Sequence, residues 1–597
     1  MIEVKERTKE IQGLHKNIFV LSNSAIYNKD QLIDLLGLKV SKGSILSDEN
    51  LILLAYQKWG EESPKYFVGD YAFVIYDKQK QKYFGARDFS GSRTLYYIKD
   101  KNNVAFSSLI KPLLKLRNYK KKLNYSWLAE FIAIPTLVEA IDMTSTVYEG
   151  IYQVPPSHSI VVNKDGKVQL KRYSTINVDH ELRLSSNQEY MEAFHEVFSQ
   201  AVKERLSTSG EVGSHLSGGL DSGAVVSFAS KELAKENKIL HTFSNVPEHD
   251  FVDWTSSYYI PDETPYIKET VKYVGNINDN YLCFPGASPY NEIDDFLDIM
   301  EMPYKFFENA FWLKGITEEA SKKGITVMLN GARGNHSISW GSMRLNYDYY
   351  SKLLKQWKWL KFNKELIHFS EVFNTGRSVM IPFLFKRTFP KVISFKKEET
   401  VYEFPSFINP YLAKKTNVYE KLQDAGIYDT SGKISDLNYY RRDYYEQLYP
   451  WNKSGVANTK LALRYGVWDR DPTNDIRVIN FCLSLPKEQY VLEGYERSLI
   501  RRAMQGRLPD TVRLNQQRRG LQGADVIHRM RKEWHCFMEE IERMSKDSMM
   551  ADLIDTKVIE RAFSNIGKSP RPEMIFEDDF KILTRSLILY RFLMKHG

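Results

Sequence analysis

A chain of 597 residues is long enough for two or more domains with substantial cores. Hydrophobic residues at 43% and charged residues at 26% fit a soluble globular protein, and a formal charge of +8 is too modest at this length to argue for DNA or RNA as a partner. No apolar run approaches a membrane span and the N-terminus carries no signal-peptide pattern; the three cysteines, Cys283, Cys482 and Cys536, are too scattered for a disulfide or metal framework, so a reduced, cytoplasmic setting is expected.

From Asn17 to about Tyr173 the pattern is mainly β with helical interludes. Ile18–Leu21 reads as a strand, and Asp30–Leu36 as a short helix ended by Gly37. Tyr71–Asp77 and Gln81–Ala86 bracket Lys78-Gln79-Lys80, which predicts a hairpin. Between Leu182 and Leu206 a polar lead gives way to a helix with Tyr190, Met191, Phe194, Val197 and Phe198 on one face.

The chemistry is densest at His215-Leu216-Ser217-Gly218-Gly219-Leu220-Asp221-Ser222. Val212, His215 and Leu216 form an extended run into it, and Val225, Phe228, Ala229 and Leu233 recur at helical steps after it. A strand that turns through Ser-Gly-Gly into a helix offers unpaired N–H groups and the positive helix end to an anion. The glycines allow close backbone approach. Ser217 and Ser222 add hydroxyls, and Asp221 can hold a magnesium ion on phosphates. No GK[ST] follows, so the Walker pattern is excluded.

Lys238–Asn245 is a buried-type strand, and the strand–helix alternation from there predicts a parallel, doubly wound sheet with ligands at the strands' carboxyl ends. Asp262 and Glu263 open the next helix, either as dipole and capping residues or facing a metal or amine. Ile325–Leu329 is a further strand, running into Asn330-Gly331-Ala332-Arg333-Gly334-Asn335-His336. Residues 351–400 hold eleven Lys or Arg against four Asp or Glu, interleaved with Trp357, Trp359, Phe362, Phe383, Phe385, Phe389 and Phe395. That stretch reads as a partly buried helical insertion or as a contact surface for an acidic partner. Val456–Arg464 and Glu496–Met504 read as helices, with Gly466-Val467-Trp468-Asp469-Arg470-Asp471-Pro472-Thr473-Asn474-Asp475 between them. Arg513–Asp525 follows the second helix and contains Arg518, Arg519 and Gly520.

The Ser217–Ser222 motif resembles the pyrophosphate loop of the ATP-pyrophosphatase superfamily. Gly69–Asp77, Ala86–Tyr97, Val104–Ser108 and Glu149–His158 resemble, in order, segments of the glutaminase domain of asparagine synthetases. The resemblance runs from about Asn17 to the C-terminal helix at Leu583–Leu593. It implies an α/β protein. Residues 1–178 would form an Ntn-glutaminase-like α+β domain. Residues 179–597 would form a doubly wound ATP-pyrophosphatase domain (adenine nucleotide α-hydrolase-like), with an insertion at about 345–405. That glutaminase works through a cysteine at its N-terminus with its own amine as base. Here the chain reads Met1-Ile2-Glu3-Val4 and has no cysteine before Cys283, so a truncated, inactive scaffold is expected.

The resemblance also assigns roles. Ser217, Gly218, Gly219, Asp221, Ser222 and Gly331 would bind ATP. Asp221 and Asn335 would hold Mg2+, Asn335 standing where the family has an aspartate; its neutral oxygen is the weaker ligand for a hard cation. Trp468 stands where the family has a glutamate, leaving Asp469 or Asp471 as the acid. Arg518 falls two residues before Gly520, where related synthetases have a lysine. It is either a fixed cation near the developing oxyanion or a solvated surface residue. The Gly331-x-x-Gly334-Asn335-x-x-Ile338-Ser339-Trp340 and Arg470-Asp471-Pro472-Thr473-x-Asp475 forms look like the lasso-peptide macrolactam synthetase branch. That branch implies a precursor-peptide substrate, a leader-peptide-binding protein and a leader peptidase. A ligase using ammonia or a small amine, and a scaffold that only binds nucleotide or peptide, are the alternatives.

Overall fold

The structure, a computed structural model, describes residues 17–39, 46–100, 103–176, 178, 180–389, 404–427 and 437–596. The Met1–Val4 start and Phe395 lie outside the described residues. Among the described residues, eight strands build the N-terminal region: β1 (Ile18–Ile26), β2 (Gly69–Asp77), β3 (Lys82–Arg87), β4 (Tyr96–Lys99), β5 (Val104–Ser107), β6 (Ile151–Gln153), β7 (His158–Val162) and β8 (Val168–Arg172). They form an antiparallel sheet in the order β1-β2-β3-β7-β8 and a smaller one in the order β5-β4-β6. The expected hairpin closes with Asp77 opposite Lys82. Alternation along β2 buries Tyr71, Phe73 and Ile75 against Leu51, Ile52 and Phe84. β1 extends further than its apolar run, because β2 pairs with it along nine residues and supplies the hydrogen bonds that propensity alone does not.

In the C-terminal region, β9 (Glu211–His215), β10 (Leu240–Asn245), β11 (Tyr259–Ile260), β12 (Ile277–Leu282), β13 (Ile325–Leu329), β14 (Trp468–Arg470) and β15 (Arg519–Gly520) follow. Five of them make a parallel sheet in the order β12-β10-β9-β13-β14. The chain winds outward from β9 through β10 to β12, then returns to lay β13 on the other side of β9. That reversal is a topological switch point, and it leaves a crevice beyond the carboxyl ends of β9 and β13. β11 and β15 form a separate two-stranded parallel ladder.

Helix lengths differ from the periodic reading for identifiable reasons. The helix expected over Val456–Arg464 runs from Tyr449 to Tyr465, because Pro450 takes a first-turn position and Gly466 caps the end at φ 75°. The helix expected over Glu496–Met504 is only Ser498–Ala503, since Arg497 sits at φ 55° and breaks the entry. The basic, aromatic stretch folds into helices Met343–Lys355, Trp359–Phe373 and Arg377–Thr388, burying Phe362, Leu366, Phe369 and Leu384 and leaving Trp357 and Leu360 exposed.

The two regions share one apolar core. Trp127, Leu128 and Phe131 of helix Tyr125–Ala133 lie in the same cluster as Phe296, Tyr304, Ile527, Leu583 and Leu587. Polar staples cross the junction as well. Buried Glu301 accepts the Ile110 and Lys111 amides at 2.8 Å each and pairs with buried Lys460 at 3.0 Å. Arg87, fully buried, donates to the Asn452 side chain at 2.8 Å and to the Val154 carbonyl at 3.0 Å. Each satisfies a charge that burial would otherwise penalise.

Helix Tyr449–Tyr465 passes so close to the N-terminal region that a Cβ at Gly455 would stand 1.7 Å from the Gly91 carbonyl oxygen. Both partners are backbone, so neither can swing away. Gly455→Ala is therefore expected to lower the unfolding free energy by about 1–3 kcal/mol, the usual cost of overpacking. Denaturant titration measures it, and an unchanged midpoint would refute the tight junction.

Candidate functional site

β9 ends at His215, and the Leu216 amide still reaches the Phe243 carbonyl of β10 at 3.1 Å. The chain then turns through Ser217-Gly218-Gly219 into helix Leu220–Ala234. The Ser217 and Ser222 hydroxyls lie 3.0 Å apart, and Ser222 Oγ also accepts the Ser217 amide at 3.1 Å. These hydroxyls thus staple the loop. Gly219 occupies the N-cap without a side-chain cap, so the first-turn amides of this 15-residue helix face the crevice with the helix dipole behind them.

Asp221 stands in that first turn. Its Oδ1 is buried and has no hydrogen-bond partner among the described residues. Burial pushes the carboxyl up to about 6, with Ser339 and Arg497 opposing and Asp471 adding to the rise. A buried carboxylate oxygen without a partner is costly, and a hard cation would relieve it. The loop after β13 closes over this group. A Cβ at Gly334 would lie 2.3 Å from Asp221 Cγ and Oδ1, and one at Gly331 would lie 2.9 Å from the Asp221 carbonyl carbon. Asn335 follows on the same loop, exposed and lining the cleft.

β14 decides between the two candidate acids. Alternation along the strand sends Trp468 and Arg470 to the N-terminal region. There Arg93 lies 4.3 Å over the Trp468 ring and Arg470 lies 5.9 Å over the Tyr27 ring; Arg470 also donates to the Arg205 and Ser207 carbonyls of its own region at 2.8 Å. Asp469 points the other way and lines the cleft. It accepts from Asn330 Nδ2 at 3.4 Å and lies 3.9 Å from His215 Nε2. Burial raises its carboxyl to about 6 and lowers His215 to about 4.

Asp471 is not among the residues that line the cleft. It accepts from the Thr473 amide at 2.8 Å, the Thr473 hydroxyl at 2.6 Å and the Arg333 amide at 2.9 Å, and so tethers the loop that carries Asn335. His336, next on that loop, stacks on Tyr444 with ring centroids 3.6 Å apart. Arg518 reaches the rim and is exposed; its guanidinium donates to the Ser257 carbonyl at 3.1 Å and the Tyr259 carbonyl at 3.4 Å.

Two groups, Arg497 and Leu137, escape the reading of site residues, and that reading leaves Glu263 open between a capping and a ligand-facing role. Glu263 is packed between the Ser217–Ser222 loop and β15: a Cβ at Gly218 would lie 3.1 Å from its Oε1, and one at Gly520 2.3 Å. Burial lifts its carboxyl to about 7, with the Gly218 amide opposing and Asp262 adding. Its neighbour Asp262 caps Thr264 at 2.9 Å, so the pair divides into one capping and one cleft residue. Arg497 lines the cleft and acts on Asp221; its left-handed backbone is the local strain that aims it there. Leu137, from the N-terminal region, forms part of the wall.

The cleft encloses about 700 Å3. A second groove of about 1180 Å3 adjoins it, and Ile260, Tyr266, Asn515, Gln516 and Arg518 line both. No helix among the described residues is long and apolar enough to cross a membrane.

Residues 193–575 match the family described as Asparagine synthase, and residues 7–174 match the Glutamine amidotransferase domain. "Asparagine synthetase [glutamine-hydrolyzing] 3" of Bacillus subtilis is 22% identical over 573 residues, covering 92% of this chain and 82% of that protein. "Putative asparagine synthetase [glutamine-hydrolyzing] 2" of Methanocaldococcus jannaschii is 28% identical over 342 residues, covering 57% of this chain and 62% of that protein. "Amidase chry2" of Gibberella zeae is 27% identical over 203 residues, covering 34% of this chain and 29% of that protein. The chain belongs to the asparagine synthase family. It is an ATP-dependent carbon–nitrogen ligase, with a glutamine-amidotransferase-like domain preceding the ligase domain.

If the orphaned Asp221 oxygen awaits a cation, the isosteric Asp221→Asn has two opposite effects. The ligand-free protein should gain about 1–2 kcal/mol of unfolding free energy, because a buried unpaired charge is removed. The tightening of ATP binding by magnesium should disappear. Calorimetry with and without magnesium, beside a denaturant titration, measures both; unchanged magnesium dependence would contradict the assignment.

Proposed function

We propose that this ligase is a peptide macrolactam synthetase of the lasso-cyclase type, acting on an Asp or Glu side-chain carboxylate of a precursor peptide. The observation that carries the reading is the confluence of two grooves. The cleft that holds the phosphate loop shares five wall residues with a larger groove, which gives a polymer room that a single amino acid does not need. The Gly334-Asn335 and Arg470–Asp475 motif forms support the same branch. In this reading residues 179–597 are an ATP-pyrophosphatase domain, and residues 1–178 are a scaffold packed against it. A leader-binding protein and a leader peptidase supply the freed N-terminus.

The loop Ser217–Ser222 and the helix N-terminus behind it receive the pyrophosphate of ATP. Asp221 and Asn335 would hold Mg2+, which would offset the phosphate charge. The peptide carboxylate attacks the α-phosphorus, the α–β bond breaks, and pyrophosphate leaves an acyl-adenylate. The peptide's α-amine then attacks the acyl carbon and AMP departs. The amine must lose a proton as it bonds. Asp469, raised to about 6 and facing the cleft, is suited to take it near neutral pH. Arg518 at the rim faces the groove from which the peptide enters. The protein's largest contribution is to hold the amine and the adenylate together, which replaces an entropically opposed encounter by an intramolecular one.

Incubation with Mg-ATP and a leader-free core peptide should yield AMP, pyrophosphate and a peptide lighter by one water, read by mass spectrometry. Asp469→Asn should slow ring closure by roughly 10²–10⁴-fold while pyrophosphate release persists. ATP consumption only with ammonia or a small amine would replace the peptide reading by small-molecule amide synthesis.

A further inference from the structure

The basic, aromatic stretch lines none of the cleft. Helices Met343–Lys355, Trp359–Phe373 and Arg377–Thr388 bury Leu354, Phe362, Leu366 and Leu384 in the ligase core, which accounts for one side of them. The outer side is apolar too. Trp357 is 75% exposed and Leu360 91%, and the stripe Ile381, Phe385, Phe389 follows the third helix at four-residue steps to its C-cap. Ring contacts join these side chains. The centroids of Trp357 and Trp359 lie 5.8 Å apart, those of Trp359 and Phe385 6.1 Å, and those of Phe385 and Phe389 6.1 Å. One patch therefore spans the turn between the first two helices and the end of the third.

The backbone of that turn is strained to present an indole. Trp357 stands at φ 57°. Its amide reaches the Leu354 carbonyl at 3.1 Å and the Lys358 amide reaches the Leu353 carbonyl at 3.0 Å, the paired bonds that end a helix through one left-handed residue. Glycine ordinarily fills that position, and a bulky side chain there is disfavoured. With the indole so exposed, packing within the folded chain does not offset the strain. Lys355 and Lys358 flank Trp357, and Lys386 adjoins Phe385; all three are exposed and have no ion pair among the described residues. From residue 355 to residue 389 the acids are Glu365, which is buried, and Glu371, at the far end of its helix.

The shape and charge of the patch select among partners. A helical or extended peptide needs a groove or a sheet edge, and side chains that stand this far out of the surface form neither. Two copies meeting about a two-fold axis would bring two sets of free lysines together. Nucleobases would stack on the rings but leave Leu360 and Ile381 in water. An anionic bilayer surface takes up protruding apolar tips and pairs the lysines as well. We propose that this patch docks the ligase on the surface of an anionic lipid bilayer, with Trp357, Trp359 and Leu360 entering the headgroup boundary and the lysines meeting lipid phosphates. The attachment is peripheral, since no helix among the described residues is long and apolar enough to span. It does not depend on the peptide substrate.

The full chain is floated with phosphatidylcholine vesicles, with or without about one-third phosphatidylglycerol. It should partition to the anionic vesicles roughly tenfold better than to the neutral ones, and added salt should release it. Trp357→Gly should weaken that partition roughly tenfold, because an indole leaves the interface. Its denaturation midpoint should equal or exceed that of the parent, because glycine suits φ 57°. Leu360→Ser should weaken the partition about threefold to tenfold, and replacing Lys355 and Lys358 together by Glu should remove the preference for anionic vesicles. Equal flotation with both vesicles, or with neither, would overturn the proposal, as would flotation unmoved in folded Trp357→Gly protein. Dimerisation in sedimentation equilibrium that Trp357→Gly removes would assign the patch to a second copy and overturn it too. Tighter binding to polyglutamate or single-stranded DNA than to the anionic vesicles would do the same.

Discussion

A half-buried carboxylate with one oxygen shut from water and without a hydrogen-bond partner among the described residues is the constraint around which the ligase domain is arranged. Asp221 occupies the first turn of the helix after β9, at the place where strand order reverses. Ordinary folding pressure would remove such a group. Its surroundings instead hold it in place. Gly331 and Gly334 bring the second loop against it without room for a side chain, and Asp471 fixes that loop by accepting the Arg333 amide. In the proposed function, the stability lost at this carboxyl is the stored capacity to take up a cation with its phosphates.

The N-terminal domain depends on the same arrangement from behind. Arg93 covers Trp468, and Arg205 lies 4.2 Å over the Tyr27 ring while pairing with buried Asp475 at 2.7 Å. Those contacts fix β14 and the turn after it, and β14 in turn aims Asp469 into the cleft. Leu137 approaches from the same side. A large apolar core common to both regions packs the junction, so that the buried charges crossing it interact at low effective dielectric.

The strand–turn–helix at Ser217–Ser222 was legible in the sequence because a local rule governs it: a strand, a glycine turn and a helix start are neighbours in the chain. The doubly wound sheet followed from the same alternation. The choice between Asp469 and Asp471 was not legible, because it depends on the phase of a three-residue strand that only the sheet pairing with β13 sets. Glu263 could be read as a cap as readily as a cleft residue, and only the approach of β15, some 250 residues later, distinguishes it from Asp262. Gly334 carried a signal in its spacing from Gly331, yet what it accommodates, the Asp221 carboxyl, is non-local. Arg518 was placed at the right loop, but its rim position and its carbonyl partners come from the β11–β15 ladder.

The central claim, that a carboxylate is activated on the α-phosphorus of ATP at the Asp221 loop, has one direct measurement. A core peptide carrying 18O in its acceptor carboxylate is incubated with Mg-ATP, and the nucleotide products are analysed by mass spectrometry. The account predicts one labelled oxygen in AMP, since the carboxylate oxygen that attacks phosphorus leaves with it. Label appearing in inorganic phosphate alongside ADP would contradict it, because the bond broken would then lie between the β and γ phosphates.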